Sequence, residues 1–301
     1  MKKIPLEGAF TAIVTPFTKS GNIDLPALTR LLTYQLDGGI NGIVVCGSTG
    51  EAATLSEEEY SRVIRHTVKI VDGKVRVIAG AGSNNTARAI KWSQLAAKEG
   101  VDALLHVTPF YNKPTPNGLV AHYRAIAKAV YLPIILYNVP SRTGMNALPA
   151  TVLRIAKEVP HVVGIKEASG NINQFGELLQ NAPRNFSVLS GDDSLTLPAM
   201  ALGAKGCISV VSNEAPRDFT LLCQAALRGD WKTARDMHFR LLNLMNINFI
   251  ESNPIPVKSA LAMMGMIEES LRLPLVPLEK KNRPAVKQCL KDLELMKHGK
   301  N

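Results

Sequence analysis

Lys166 stands directly behind the apolar run of VVGIKEASG, residues 162–170. A β-branched stretch of this kind reads as a strand covered on both faces in a parallel sheet, where a charge is rarely tolerated. An amine at such a strand end is desolvated, which disfavours the ammonium form relative to its ordinary pKa of about 10.4. A neutral amine can attack a carbonyl and form a Schiff base. The plainer reading is a salt bridge to Glu167 or to another carboxylate nearby. Successive strand residues face opposite ways, however, so Glu167 is not expected to share the direction of Lys166.

Four other segments could do chemistry beside it. GSTGE (47–51) carries two glycines, the hydroxyls of Ser48 and Thr49 and consecutive amides, the makings of a carboxylate-binding nest or simply of a tight turn. TPFYNKP (108–114) and YNVPSRTG (137–144) supply Tyr111 and Tyr137, which are either proton carriers or buried phenols bonded to a carbonyl. Arg142 in the second segment can clamp a carboxylate bidentately or lie on the surface. SGDD (190–193) holds Gly191 and two aspartates, but the six histidines are scattered and form no ligand cluster, so no metal is expected. GAGSN (80–84) begins like a dinucleotide fingerprint, yet at Asn84 the pattern's third glycine is still to come and no suitably placed acidic partner is present, so nucleotide binding is not expected.

These segments need a frame that brings them together. Short apolar runs bounded by turn residues predict strands at 12–16, 42–47, 75–82, 103–109, 133–140, 162–169, 187–193 and 204–213. Helical periodicity predicts helices between and after them at 25–37, 56–71, 86–99, 117–129, 149–158, 171–181, 194–202 and 215–228. Ser56 followed by Glu59 reads as a capping box, and Thr86 as a start signal. Eight strands alternating with eight helices predict an α/β protein, a (β/α)8 TIM barrel, with a doubly wound open sheet as the alternative. In such a barrel the active site lies at the C-terminal ends of the strands, and the segments above all fall there. Residues 1–228 would form the catalytic barrel. Residues 229–301 show no strand pattern and would form a C-terminal helical region packed on the barrel or used in oligomer contacts.

With 301 residues and 46% hydrophobic content, the chain can bury a sizeable core. No uninterrupted apolar run reaches about 18 residues and MKKIPLEGAF has no apolar stretch behind its lysines, so neither membrane nor export is expected. The four cysteines lie far apart without C-x-x-C spacing and read as reduced thiols of a cytoplasmic protein. The net charge of +10 is dispersed rather than striped with aromatics, which argues against nucleic acid and leaves a mild field favouring small anions.

From about Gly8 past NPIPVK (253–258) the sequence resembles the dihydrodipicolinate synthase (4-hydroxy-tetrahydrodipicolinate synthase) branch of the pyruvate-dependent, Schiff-base aldolases, GIKEASG being similar to the family's lysine motif. The resemblance implies a barrel with C-terminal helices and an imine at Lys166. It implies that Tyr137 sits over the imine and shuttles protons, with Ser48 and Tyr111 completing a hydroxyl relay. Thr49 and adjacent amides would hold the pyruvate carboxylate, Arg142 the carboxylate of L-aspartate 4-semialdehyde, and Gly191 and Ile208 would shape the pocket. Tyr111 would serve a neighbouring subunit's site, implying a dimer or a dimer of dimers. The implied reaction is the first committed step of diaminopimelate and lysine synthesis, and no cofactor is required.

Two features depart from the common pattern of that branch. Ser48 stands where many synthases carry threonine, a serine shared with lyases for N-acetylneuraminate or 2-keto-3-deoxy sugar acids; SRTG favours the synthase, since an arginine suits a small carboxylated aldehyde better than a polyol. A non-catalytic binding barrel would have to explain why lysine, two tyrosines and arginine share one rim. Where lysine-inhibited relatives carry polar and acidic effector-site residues, this chain has Ala52, Glu57, Tyr60, Arg88 and Phe110, with Asn84 retained. Arg88 would repel an ammonium group, so weak or absent feedback by lysine is expected.

Overall fold

The computed structural model describes residues 6–296. Eight parallel strands close into a barrel in sequence order: β1 (Gly8–Ala12), β2 (Gly42–Val45), β3 (Arg76–Gly80), β4 (Ala103–Val107), β5 (Ile134–Asn138), β6 (Val162–Glu167), β7 (Ser187–Ser190) and β8 (Gly206–Ser209), with β8 pairing back to β1. The open-sheet alternative is therefore excluded.

Alternation along the strands sorts side chains into two cores. Phe10, Val44, Ile78, Leu105, Ile135, Leu189 and Ile208 fill the barrel interior. Residues of opposite parity, such as Ile43, Val45, Leu104 and Cys207, pack outward with the helices in one large cluster, and Leu136, Ile165 and Val188 do so in another. The interior is tight enough that a Cβ on Gly42 would lie 2.4 Å from the Phe10 ring, which is why β2 opens on a glycine.

Seven strands fall within their expected runs, and the first does not. AIVTP was expected at 12–16, but pairing runs over Gly8–Ala12 and the chain then leaves the sheet. Ile13 and Val14 are buried all the same. The Val14 amide donates to the Asn213 side chain at 3.2 Å and the Thr15 hydroxyl to the Gly50 carbonyl at 2.7 Å, so side chain and loop groups replace a ladder there.

The helices follow their expected spans closely, for example Leu25–Asp37, Pro116–Ala129 and Pro149–Glu158. The Ser56/Glu59 capping box forms at the start of Glu57–Val71. For Thr86–Lys98 the cap is Asn85, one residue before the expected signal, because its carboxamide oxygen accepts from the Arg88 amide. Beyond the barrel, Trp231–Ile247 packs on Pro216–Leu227, and Ile255–Met263 and Arg283–Asp292 follow. Residues 297–301, the end of the expected C-terminal helical region, lie outside the described residues, as do residues 1–5. Cys46, Cys207 and Cys223 are buried and Cys289 is half-buried, all as free thiols. Among the described residues no helix is long and apolar enough to cross a membrane.

Candidate active site

A cavity of about 460 Å³ opens at the C-terminal ends of the strands, with Lys166 and Tyr137 in its wall. β5 and β6 pair in a register that sets these two residues side by side. The Lys166 ammonium lies 4.4 Å from the centre of the Tyr137 ring, and both residues are buried, at 5% and 8% exposure. A cation over an aromatic face is held electrostatically without a counter-charge. The salt-bridge reading fails for Glu167: it is on the opposite face of β6, fully buried, where its carboxylate accepts from Asn138 Nδ2, Gln174 Nε2 and the Ser169 amide. Among the described residues, Lys166 has no carboxylate partner.

Gly191 closes over the lysine. Its amide donates to the Glu167 carbonyl at 2.7 Å, and a Cβ there would stand 2.9 Å from both Cε and Cγ of Lys166. Of the two neighbouring aspartates, Asp192 accepts from the Ser194 amide and hydroxyl. Asp193 is buried and fastens the chain beyond β8 by accepting from the amides of Val210 and Val211, while burial raises its carboxyl pKa. Both are structural fasteners of the rim.

The 47–51 loop forms the opposite wall. Cys46 and Glu51 bracket it in left-handed conformations (φ 55° and 51°), which turn the chain sharply after β2. Amides of Gly50 and Glu51 are taken by the carbonyls of Gly47 and Ser48. Those of Ser48 and Thr49 have no acceptor among the described residues, leaving two consecutive N–H groups available at the cavity. Glu51 pins the loop from behind: its buried carboxylate pairs with buried Lys258 and accepts from the Arg272 amide.

Arg142 lies on the short helix Pro140–Thr143 and borders the same cavity. Its guanidinium donates to the Asn253 carbonyl at 3.0 Å and has no carboxylate partner among the described residues. One cavity thus gathers Lys166, Tyr137, Ser48, Thr49, Arg142 and Gly191. Two expected residues are not in its wall. Ile208 is fully buried in the interior cluster with Ala12, Val44 and Tyr137, and Val210, two residues on, borders the cavity in its place. Tyr111 is 90% exposed with a left-handed backbone (φ 68°) and does not reach this chain's own cavity.

Sequence reasoning missed the contribution of the C-terminal region. Phe249, Glu251, Ser252 and Asn253 complete the cavity wall. The only signal was the Pro-punctuated NPIPVK segment, whose position far along the chain hides its proximity to 47–51.

With its amine, phenol, two free amides and a guanidinium that has no carboxylate partner among the described residues, the cavity can hold two small anions beside a nucleophile. A model of the dihydrodipicolinate synthetase family matches residues 5–293. The 4-hydroxy-tetrahydrodipicolinate synthase of Maridesulfovibrio salexigens is 52% identical over 285 residues, covering 95% of this chain and 97% of the relative. That of Syntrophus aciditrophicus is 50% identical over 290 residues, covering 96% and 99%. Among solved structures, dihydrodipicolinate synthase from Aquifex aeolicus matches with a TM-score of 0.95 at 44% identity, covering 97% of this chain and 100% of that one. The Thermotoga maritima enzyme matches with 0.95 at 45% identity, covering 96% and 99%. Residue pattern, barrel and comparisons agree, and the chain belongs to the dihydrodipicolinate synthetase family.

Proposed function

We propose that the protein condenses pyruvate with L-aspartate 4-semialdehyde through an imine at Lys166, giving 4-hydroxy-tetrahydrodipicolinate for diaminopimelate and lysine synthesis. The observation that carries this reading is the buried lysine amine, free of any carboxylate among the described residues, set against a phenol in a cavity with carboxylate-binding groups on two sides.

The amine of Lys166 attacks C2 of pyruvate, and loss of water leaves a protonated imine. Thr49 and the free amides of 48–49 hold the carboxylate while the imine forms. The imine draws electrons from C3, a C3 proton leaves, and the resulting enamine attacks the aldehyde carbon of the second substrate. Tyr137 carries protons between these centres, with Ser48 next in the relay. Arg142 holds the carboxylate of the second substrate by a bidentate pair. The substrate's own amine then attacks the imine carbon and displaces Lys166, which closes the ring and frees the enzyme. Gly191 gives the lysine side chain room, and Ile208 supports the apolar floor.

Exposed Tyr111 suits a role in the site of a second copy, so the working assembly would be a homotetramer built as a dimer of dimers. The four free cysteines suit a reducing cytoplasm. The described part of the C-terminal region, residues 229–296, would fold as one unit with the barrel, since Phe249, Glu251, Ser252 and Asn253 supply part of the cavity wall. Incubation with pyruvate and borohydride tests the imine: mass spectrometry should find the reduced adduct on the peptide carrying Lys166. Labelling elsewhere, or none in folded protein, would refute it. The sugar-acid lyase reading predicts faster cleavage of N-acetylneuraminate or a 2-keto-3-deoxy sugar acid than condensation.

A further inference from the structure

Asn253 sits in the loop between Trp231–Ile247 and Ile255–Met263, borders the cavity and is 5% exposed. Its Nδ2 donates to Thr49 Oγ1 at 2.9 Å, and its main-chain carbonyl accepts from Arg142 Nη2 at 3.0 Å. One residue of the C-terminal segment therefore touches groups on both sides of the cavity, 204 and 111 residues away in sequence. Building on the functional reading above, we propose that Asn253 is a positioning residue that prepares both carboxylate subsites at once.

The chemistry lies in the direction of the hydrogen bonds. A threonine hydroxyl has one proton to give and lone pairs to accept with. Because Nδ2 donates to it, the Thr49 oxygen keeps its own proton, and no other partner takes that proton among the described residues. The proton remains for an anion, beside the free amides of Ser48 and Thr49. In the reverse amide orientation Thr49 would donate to Oδ1, which is buried and unpartnered, and the proton would be lost to the ligand. Through the carbonyl, the same tether fixes one corner of the Arg142 guanidinium and leaves its other donors for a bidentate contact.

Asn253→Asp reverses the polarity: an ionised carboxylate only accepts, so Thr49 must donate to it, and a negative charge enters between two anion subsites. The half-saturating pyruvate concentration for borohydride-trapped adduct, and KM for each substrate, should rise at least ~10-fold, the scale of one lost charge-assisted hydrogen bond. Asn253→Ala should raise the pyruvate value similarly and the aldehyde value less, because the main-chain carbonyl survives. The discriminating readout is coupling: in a Thr49→Val background the pyruvate effect of Asn253→Ala should vanish, whereas a merely structural role would leave it undiminished. Should Asn253→Ala fail to fold, Asn253→Ser carries the same cycle. Asp, Ala and Ser variants matching a wild type that forms the adduct, or an undiminished effect in the Thr49→Val background, would overturn this proposal alone. A wild type that forms no adduct would overturn the functional reading together with it.

Discussion

Replacing Gly191 with alanine should disable the lysine while leaving the barrel folded. The added Cβ would stand 2.9 Å from Cε and Cγ of Lys166 and 2.8 Å from Cβ of Ala168. Carbon atoms pack comfortably at about 3.5–4.0 Å, so contacts must open by roughly 0.6–1.2 Å. The backbone cannot readily supply that movement, because the Gly191 amide is bonded to the Glu167 carbonyl at 2.7 Å and the Ala168 Cβ is fixed to the adjoining chain. The Lys166 side chain must therefore yield, which takes its ammonium off the Tyr137 ring. Overpacking of this size costs about 1–3 kcal/mol, and a reacting group misplaced by about 1 Å loses on the order of 10²-fold in rate. Turnover and borohydride trapping on Gly191→Ala should both fall by about that factor, with a drop in Tm of a few degrees. Gly176→Ala is the control: it lies in the helix Ile172–Asn181 with nothing within 4 Å of its added Cβ, and should keep activity and gain about 0.5–1 kcal/mol of stability. A Gly191→Ala enzyme that forms adduct and turns over like wild type would refute the packing argument.

Tyr137→Phe keeps the ring beneath the ammonium and removes the proton carrier, so trapping by borohydride should persist while kcat falls about 10²–10⁴-fold; equal loss of both would contradict the separation of roles. Lys258 is fully buried, and burial lowers its pKa to about 8 although Glu51 opposes the shift. Between pH 8 and about 10.4 the unfolded chain thus binds more protons than the native one at this group, so its contribution to stability grows as pH rises through that window, by up to about 3 kcal/mol. Thermal melts of wild type against Glu51→Gln/Lys258→Met should show wild type gaining over that range, and a pH-independent difference would refute the assignment. Lysine should inhibit weakly or not at all, because Arg88, four residues after Asn84 in sequence, is exposed and Tyr60 is buried with its hydroxyl spent on the Gly80 carbonyl. An inhibition curve with half-inhibition at sub-millimolar lysine would contradict this.

The parallel barrel was legible because its strands are covered on both faces and so read as unbroken apolar runs, while the helices announce themselves by period and caps. The same cue misplaced β1: Ile13 and Val14 are apolar and β-branched, yet they pack outward after the sheet has ended, where Asn213 takes over the backbone bonding. Within the site, the residues at strand ends could be read because the fold class fixes that rim as the place of chemistry. What escaped were partners held by tertiary contact alone. Asn253 and Thr49, or Glu51 and Lys258, meet across 204 and 207 residues, a closeness that no local pattern encodes. Tyr111 is the converse case, singled out by residue type yet 90% exposed, with a left-handed backbone, and outside the wall of its own chain's cavity.

Product formation from pyruvate and L-aspartate 4-semialdehyde, coupled to the reductase that consumes the product, tests the central claim most directly when run on wild type and Lys166→Ala side by side. Turnover by wild type that disappears in the folded variant is the expected result. A folded wild type without turnover, or a Lys166→Ala variant that retains it, would contradict the account.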